Sequence, residues 1–282
     1  MKYLLLLLLT TNIFAQTIHS SISTYYESKK FKNSLQKYDG VTYGLGADIH
    51  KGTNAYKVAF EYGDTQTKQP PLSEDLKTQK LFLKYAHRVN QTFAFNINYL
   101  TVLDDNIAIT DGGNSYALGL THFAKEKNIV SNFTQYYSSY DDFSALQSDL
   151  DIAYTQKFSG VKLKLNAIYK YIKIDEKSTN SFTKNAQDEY HTFGVKLHIH
   201  SNGYHFGTVA YFGKRAFAIM DNGFKIQHHA MEFDRTYSVG VGKNISDFVM
   251  RFIYVYQRAT ELPPQNKNVE VETLRLLLNY KF

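Results

Sequence analysis

The chain has 282 residues, 43% of them hydrophobic, with 23 Tyr, 20 Phe, no Cys and only 4 Pro. That composition excludes a collagenous or low-complexity chain, a disulfide scaffold and any cysteine-ligated metal centre. The net charge of +6 comes from basic residues scattered along the chain rather than gathered in a patch, so it does not point to nucleic acid.

Residues 1–15 open with Lys2, run apolar from Leu4 to Leu9 and end Ile13-Phe14-Ala15 before Gln16. This is the pattern of a secretory signal peptide cut after Ala15, and the apolar run falls far short of the roughly 20 residues of a membrane helix. Residues 16–282 are then expected to form one exported domain.

From Thr17 onward the pattern is alternation with a period of two, which puts one set of side chains on each face of a sheet. Val41, Tyr43, Leu45, Ala47 and Ile49 alternate with Thr42, Gly44, Gly46 and Asp48; Tyr56, Val58, Phe60 and Tyr62 alternate with Lys57, Ala59 and Glu61. Fourteen such runs are expected, near 17–29, 40–50, 54–63, 78–88, 91–103, 114–125, 127–138, 148–158, 160–174, 189–200, 203–213, 230–242, 247–258 and 269–282. Twelve is the competing count, because 127–138 and 230–242 alternate poorly. The runs match the length of tilted strands that cross a bilayer. Short turns, such as Phe158-Ser-Gly160 and His200-Ser-Asn-Gly203, alternate with longer polar stretches at 64–77, 104–113, 175–188, 214–229 and 259–268. Short periplasmic turns and longer extracellular loops around an even number of strands describe an all-β, up-and-down antiparallel transmembrane β-barrel. A soluble sandwich also alternates, but strands this long and Tyr or Phe near their apolar ends (Tyr26, Tyr62, Phe93, Phe158, Tyr171, Tyr204 and Phe248) favour a membrane–water interface.

In Thr273-Leu-Arg-Leu-Leu-Leu-Asn-Tyr-Lys-Phe282, the residues Leu274, Leu276, Leu278, Tyr280 and Phe282 share a face. This resembles the C-terminal strand of bacterial outer-membrane β-barrel proteins. The resemblance implies that Tyr280 and Phe282 form a signal read by the barrel-assembly machinery. Size and strand number are similar to those of monomeric porins of the OmpG type, which implies a multi-pass monomer in the outer membrane of a Gram-negative cell. Its partners would be outer-membrane lipid and lipopolysaccharide.

If the apolar set meets lipid, the other set lines the interior. It includes Gly44, Gly46, Ala59, Ala94, Gly119 and Gly194, which suggest a wide water-filled passage. It also includes Lys57, Lys80, Lys84, Arg88, Lys157, Lys162, Lys164, Lys170, Lys196, Arg251 and Arg275 against Asp48, Glu61, Asp149, Asp151, Glu232 and Asp234. The Phe158-Ser-Gly160 turn sets a register with Lys157 facing Lys162, Thr155 facing Lys164 and Asp149 facing Lys170. A net-positive wall gives a mild anion preference, unless acidic neighbours cancel it.

His200-Ser-Asn-Gly203 is similar to the His-x-Ser-Asn-Gly element of outer-membrane phospholipase A. Here Ser201 adjoins His200, so the two side chains point to opposite faces, and a plain hairpin turn is expected instead. The same turn is expected to pair His198 with His205 on the inner face, with His200 near, but the three lack a clear further ligand for zinc; His228-His229 fall in a long loop where they would change charge near pH 6. No metal, no cofactor and no catalytic residue is expected. The function read from the residues is passive diffusion of small hydrophilic solutes, with a non-conducting barrel that acts through its extracellular loops (an adhesin or structural protein) as the competing class.

Overall fold

The structure is a computed structural model that describes residues 18–70, 72–105, 109–124, 128–175, 181–227 and 230–282. The expected signal peptide, residues 1–15, and His228-His229 lie outside the described residues.

Along the chain run β1 (Ile18–Lys32), β2 (Lys37–Lys51), β3 (Asn54–Thr67), β4 (Leu76–Arg88), β5 (Phe93–Asp105), β6 (Asn114–Ala124), β7 (Ile129–Ser139), β8 (Ser144–Phe158) and β9 (Val161–Asp175). A helical turn α1 (Ser181–Lys184) precedes β10 (Glu189–Ser201) and β11 (Tyr204–Arg215). A small hairpin, β12 (Ile219–Met220) and β13 (Lys225–Ile226), then precedes β14 (Met231–Ile245), β15 (Phe248–Glu261) and β16 (Asn266–Lys281). Fourteen of these strands form one closed antiparallel barrel, in which β11 pairs with β14 and β1 with β16, while β12 and β13 pair only with each other. The count of fourteen therefore holds. The two weakly alternating runs are full wall strands, because ladder hydrogen bonds do not depend on side-chain pattern.

Most of the wall strands are longer than the alternation suggested, and the fourteen run from eleven residues in β6 and β7 to sixteen in β16. The expected connection 259–268 shrinks to 262–265, and β1 and β2 are joined by residues 33–36 alone. Pairing continues past the apolar zone, since each further residue still satisfies its backbone groups in the ladder. Outward positions there become charged, as in the Lys32–Glu272 ion pair at 2.7 Å.

The apolar face points outward throughout: Leu45, Leu118 and Leu274 are 58%, 62% and 63% exposed. A belt of this size cannot face water in a monomer, but it suits hydrocarbon. Aromatic rows bound it. Tyr26, Tyr43 and Tyr62 face one another across β1 to β3, and Tyr99, Tyr116 and Tyr137 do so across β5 to β7. At the opposite edge, the Phe248 and Tyr280 rings lie 4.7 Å apart and Phe282 packs beside them.

Two of the inward glycines do not leave the open space their size suggested. A Cβ at Gly44 would sit 1.9 Å from the Tyr25 ring, and one at Gly194 would sit 2.5 Å from the Tyr211 ring. Gly44 and Gly194 are seats for an aromatic ring from the adjacent strand, so small and large residues fill the same layer there.

Two outcomes follow. Leu118→Lys, near the middle of β6, should cost about 2–4 kcal/mol in a bilayer, measured by urea unfolding from lipid vesicles; a neutral effect would mean this face meets water. Gly44→Val should displace Tyr25 and cost about 1–3 kcal/mol, seen as a lower temperature for loss of the folded band on semi-native electrophoresis.

Candidate functional site

The longest departure from expectation concerns the extracellular loop expected over residues 214–229. Lys214 and Arg215 end β11, and residues 216–227 turn into the barrel. Its sequence contains Ala216-Phe-Ala-Ile-Met220, and Ala216, Phe217, Ala218 and Ile219 are all at most 1% exposed. Burying such a run against the inner wall is favourable, whereas leaving it in solvent is not. Phe217 packs on Phe143 with ring centroids 4.7 Å apart, and Phe143 stacks on Tyr140 at 4.4 Å. Ile172, Ile174, Tyr190 and Leu262 belong to the same buried cluster. This apolar packing closes the extracellular end of the lumen on the side of β7 to β10.

Hydrogen bonds fix the inserted backbone. Ile219 N–H donates to Gln147 Oε1 at 2.8 Å, and Gln147 Nε2 donates to the Ile219 carbonyl at 2.8 Å. Lys170 Nζ donates to that carbonyl at 3.2 Å and pairs with Asp149 at 2.5 Å. Beyond Met220 the chain reverses through Asp221 and Asn222, both with positive φ, and Gly223 at φ +99°. Gly223 sits so close to Phe82 and Asn98 that a Cβ would lie 3.2 and 3.1 Å from them. Phe224 then meets the rings of Tyr25 and Phe82 at 6.0 and 5.7 Å.

The far side of the loop is held by charge. Lys225 pairs with Glu27 and approaches Glu61 at 3.6 Å. Glu61 also pairs with Lys80 at 2.7 Å and accepts a hydrogen bond from the Tyr25 hydroxyl. Arg275 Nη2 pairs with Glu27 at 2.7 Å, and its Nη1 reaches Asp221 at 3.8 Å. Glu27 and Glu61 are nearly inaccessible, and each is matched by two cations, which is what makes carboxylates tolerable there.

The loop divides the lumen. On the extracellular side lies a cavity of about 320 Å³ between the loop and the wall of β1, β10, β11 and β14 to β16. On the periplasmic side lie cavities of about 560 Å³ and about 330 Å³, both reached by Lys84, Ala86 and Asn222. The outer cavity and the larger inner one have Asp221, Ile253 and Arg275 in common. The Asp221–Arg275 pair is therefore the boundary between the two.

The expected interior charges fall into several sets. Glu61, Lys80, Asp149, Lys170 and Arg275 join the networks that hold the loop. Lys57, Lys84, Lys164, Asp151 and Arg251 line the periplasmic cavities, with Lys57 near Asp48 at 3.3 Å and Asp151 accepting a hydrogen bond from Asn166 at 2.6 Å. Lys157 and Lys162 are exposed at the periplasmic end, where the ladder pairs them; it likewise pairs Thr155 with Lys164 and Asp149 with Lys170, the register expected from the turn. Lys196 lines the outer cavity. Arg88 is turned to the periplasmic turn, donating to the carbonyls of Asn90 and Gln91. Asp234 lies at a bulge of β14, with Arg258 at 3.4 Å and Arg235 at 3.6 Å, and Glu232 pairs with Lys214 at 2.7 Å.

Glu27, Lys29, Asp221 and Lys225 were not singled out in the sequence. Parity with Tyr25 along β1 could have found the first two; the apolar run after Arg215 was the signal for the loop. His200, rather than His198, faces His205 across the ladder, and the two rings lie 4.3 Å apart. Ser201 pairs with the exposed Tyr204, on the face opposite His200, so its hydroxyl does not meet that imidazole. Among the described residues, no group of three metal-binding side chains is arranged to hold an ion.

No protein-family model and no curated protein sequence matches the chain. Among solved structures, the outer membrane protein Omp33 of Acinetobacter baumannii is similar, with a TM-score of 0.51, 11% identity and coverage of 94% of this chain and 99% of that one. OccK7 (OpdD) of Pseudomonas aeruginosa aligns with a TM-score of 0.45 at 8% identity, covering 96% and 99%, and OpdQ of the same organism with 0.44 at 11%, covering 95% and 98%. The likeness to Omp33 is one of fold. Together with the outward apolar belt, it makes this chain a transmembrane β-barrel of the outer-membrane type, with a loop folded into its lumen.

Lys225→Gln should loosen that loop. Glu27 keeps Arg275 and Glu61 keeps Lys80, so the barrel should still fold, with a loss of about 1.5–3 kcal/mol for the charged hydrogen bonds. Faster cleavage by protease added from the extracellular side, mapped to residues 217–227, is the expected readout.

Proposed function

We propose that this protein is an outer-membrane channel through which small hydrophilic solutes diffuse passively, with a mild preference for anions. The observation that carries the reading is the meeting of the outer and inner cavities at the Asp221–Arg275 pair. One ion pair of partly exposed side chains is a small obstacle compared with a packed core. A solute entering from outside would pass the Lys29 and Lys196 level, cross between the loop tip and β16, and leave past Lys84, Arg251 and Lys164. On the periplasmic side these three cations, with Lys57 and Arg275, outnumber Asp48, Asp151 and Asp221, and an excess of lumen cations favours anions. The protein is read as a monomer, seated among outer-membrane lipid and lipopolysaccharide after removal of residues 1–15. Tyr280 and Phe282 would be the part of β16 recognised by the barrel-assembly machinery. Catalysis is not part of the proposal.

The competing reading, a non-conducting surface barrel, draws support from the apolar cluster that closes one side of the extracellular end. Planar-bilayer recording of the refolded protein separates the two. The channel reading expects steady conductance, a reversal potential on the anion side in a KCl gradient and larger conductance when residues 217–227 are replaced by a short Gly-Ser link. A silent wild type that conducts only after that replacement would favour the closed barrel.

A further inference from the structure

The wall of the outer cavity has a composition that a nonspecific aqueous passage does not require. The ladder places six inward residues at one level: Lys196 faces Val209, Val209 faces Ser238, Ser238 faces Val255, Val255 faces Thr273, and Thr273 faces Lys29. All six line the cavity of about 320 Å³. Ile253 lies one inward step toward the periplasm on β15, and Val271 one step outward on β16; both also line it. The wall is thus an apolar patch carrying two hydroxyls, with a lysine at each lateral end. Five strand spacings separate the ends, about 24 Å measured along the curved sheet.

The acidic groups of this cavity are already engaged. Glu27 serves Lys225 and Arg275, Glu61 serves Lys80, Lys225 and the Tyr25 hydroxyl, and Asp221 faces Arg275. Lys29 instead donates to the Thr42 hydroxyl at 3.0 Å, and Lys196 has the Tyr211 hydroxyl as its neighbour. Among the described residues, neither ammonium has a salt bridge to a carboxylate. An inorganic anion would use a lysine and gain nothing from the valines; a neutral apolar molecule would do the reverse. A small carboxylate with a hydrocarbon chain or ring uses both, its head on Lys29 or Lys196 and its body on Val209, Val255, Ile253 and Val271.

We propose that the outer chamber is a binding site for small monocarboxylates with an apolar body, and that it concentrates them above the Asp221–Arg275 boundary. As a statement about what passes through, this rests on the channel reading; as a statement about binding, it is tested without current. The experiment is saturation-transfer NMR on the refolded protein in detergent with acetate, butyrate, hexanoate and benzoate, and hexanol as the neutral counterpart. Affinity should rise about two- to fourfold per methylene from acetate to hexanoate. Lys29→Gln and Lys196→Gln together should weaken hexanoate about tenfold or more, and Val255→Ser should flatten the dependence on chain length. Each variant is first shown to keep the heat-modifiable mobility of the folded barrel. Hexanol binding as tightly as hexanoate, or a double lysine variant that binds unchanged, would overturn the assignment. A barrel that conducts KCl but gives none of these signals also overturns it and leaves the channel standing. One that binds hexanoate as expected but carries no current supports the site and removes the channel.

Discussion

Inside hydrocarbon, no solvent satisfies a backbone N–H or C=O, so a sheet that enters a membrane must close on itself. The rest of this molecule answers to that constraint. Closure requires β1 to pair with β16 over the length from Ser21↔Lys281 to Lys32↔Glu270, and it removes the open edges that a sandwich would keep. Once the sheet is closed, the two faces of every strand acquire different solvents. The outward face becomes Leu, Val, Ile, Phe and Tyr, and the inward face becomes the place where charge can be kept.

Enclosure alone does not make a passage. Fourteen strands surround more volume than the wall side chains fill, and here the chain supplies its own filling. The segment after Arg215 packs its apolar residues on β7 to β10, while its tip carries Asp221 and Lys225 across to charged residues on β1, β3 and β16. One end is held by apolar burial and the Gln147 and Lys170 hydrogen bonds, the other by ion pairs. That asymmetry leaves an outer chamber beside the apolar wall of β11 and β14 to β16, and larger, basic space beneath. The aromatic rings seated on Gly44 and Gly194 narrow the wall further. Size and field in this lumen are set by the loop at least as much as by the barrel.

Much of the architecture could be read from alternation. Lys57 and Glu61 were placed inward and Tyr56, Val58 and Phe60 outward because a strand gives no other choice once one face is known. The Phe158-Ser-Gly160 turn is short enough to set its own register, so the opposition of Lys157 to Lys162 and Asp149 to Lys170 was legible too. Where alternation weakened, along β7 and β14, the side-chain pattern lost the information while the backbone still paired. Several strands extend past their expected ends for the same reason: above the apolar zone the outward residues turn charged, and Lys32 looks like loop although it is wall.

The sequence by itself determined the class of fold and the inward and outward faces, since these follow from local period, strand length and tight turns; fourteen strands rather than twelve came from the pairing of β7 and β14. Only the tertiary structure decided that residues 216–227 enter the lumen. It also decided that Glu27 and Glu61 gather cations from three elements, β4, β13 and β16, and that Lys29 and Lys196 end up level on one wall with no salt bridge to a carboxylate among the described residues. Such facts depend on strand stagger around a closed cylinder and on which surface a free loop finds to bury its apolar run. Neither is encoded in any stretch short enough to be read alone.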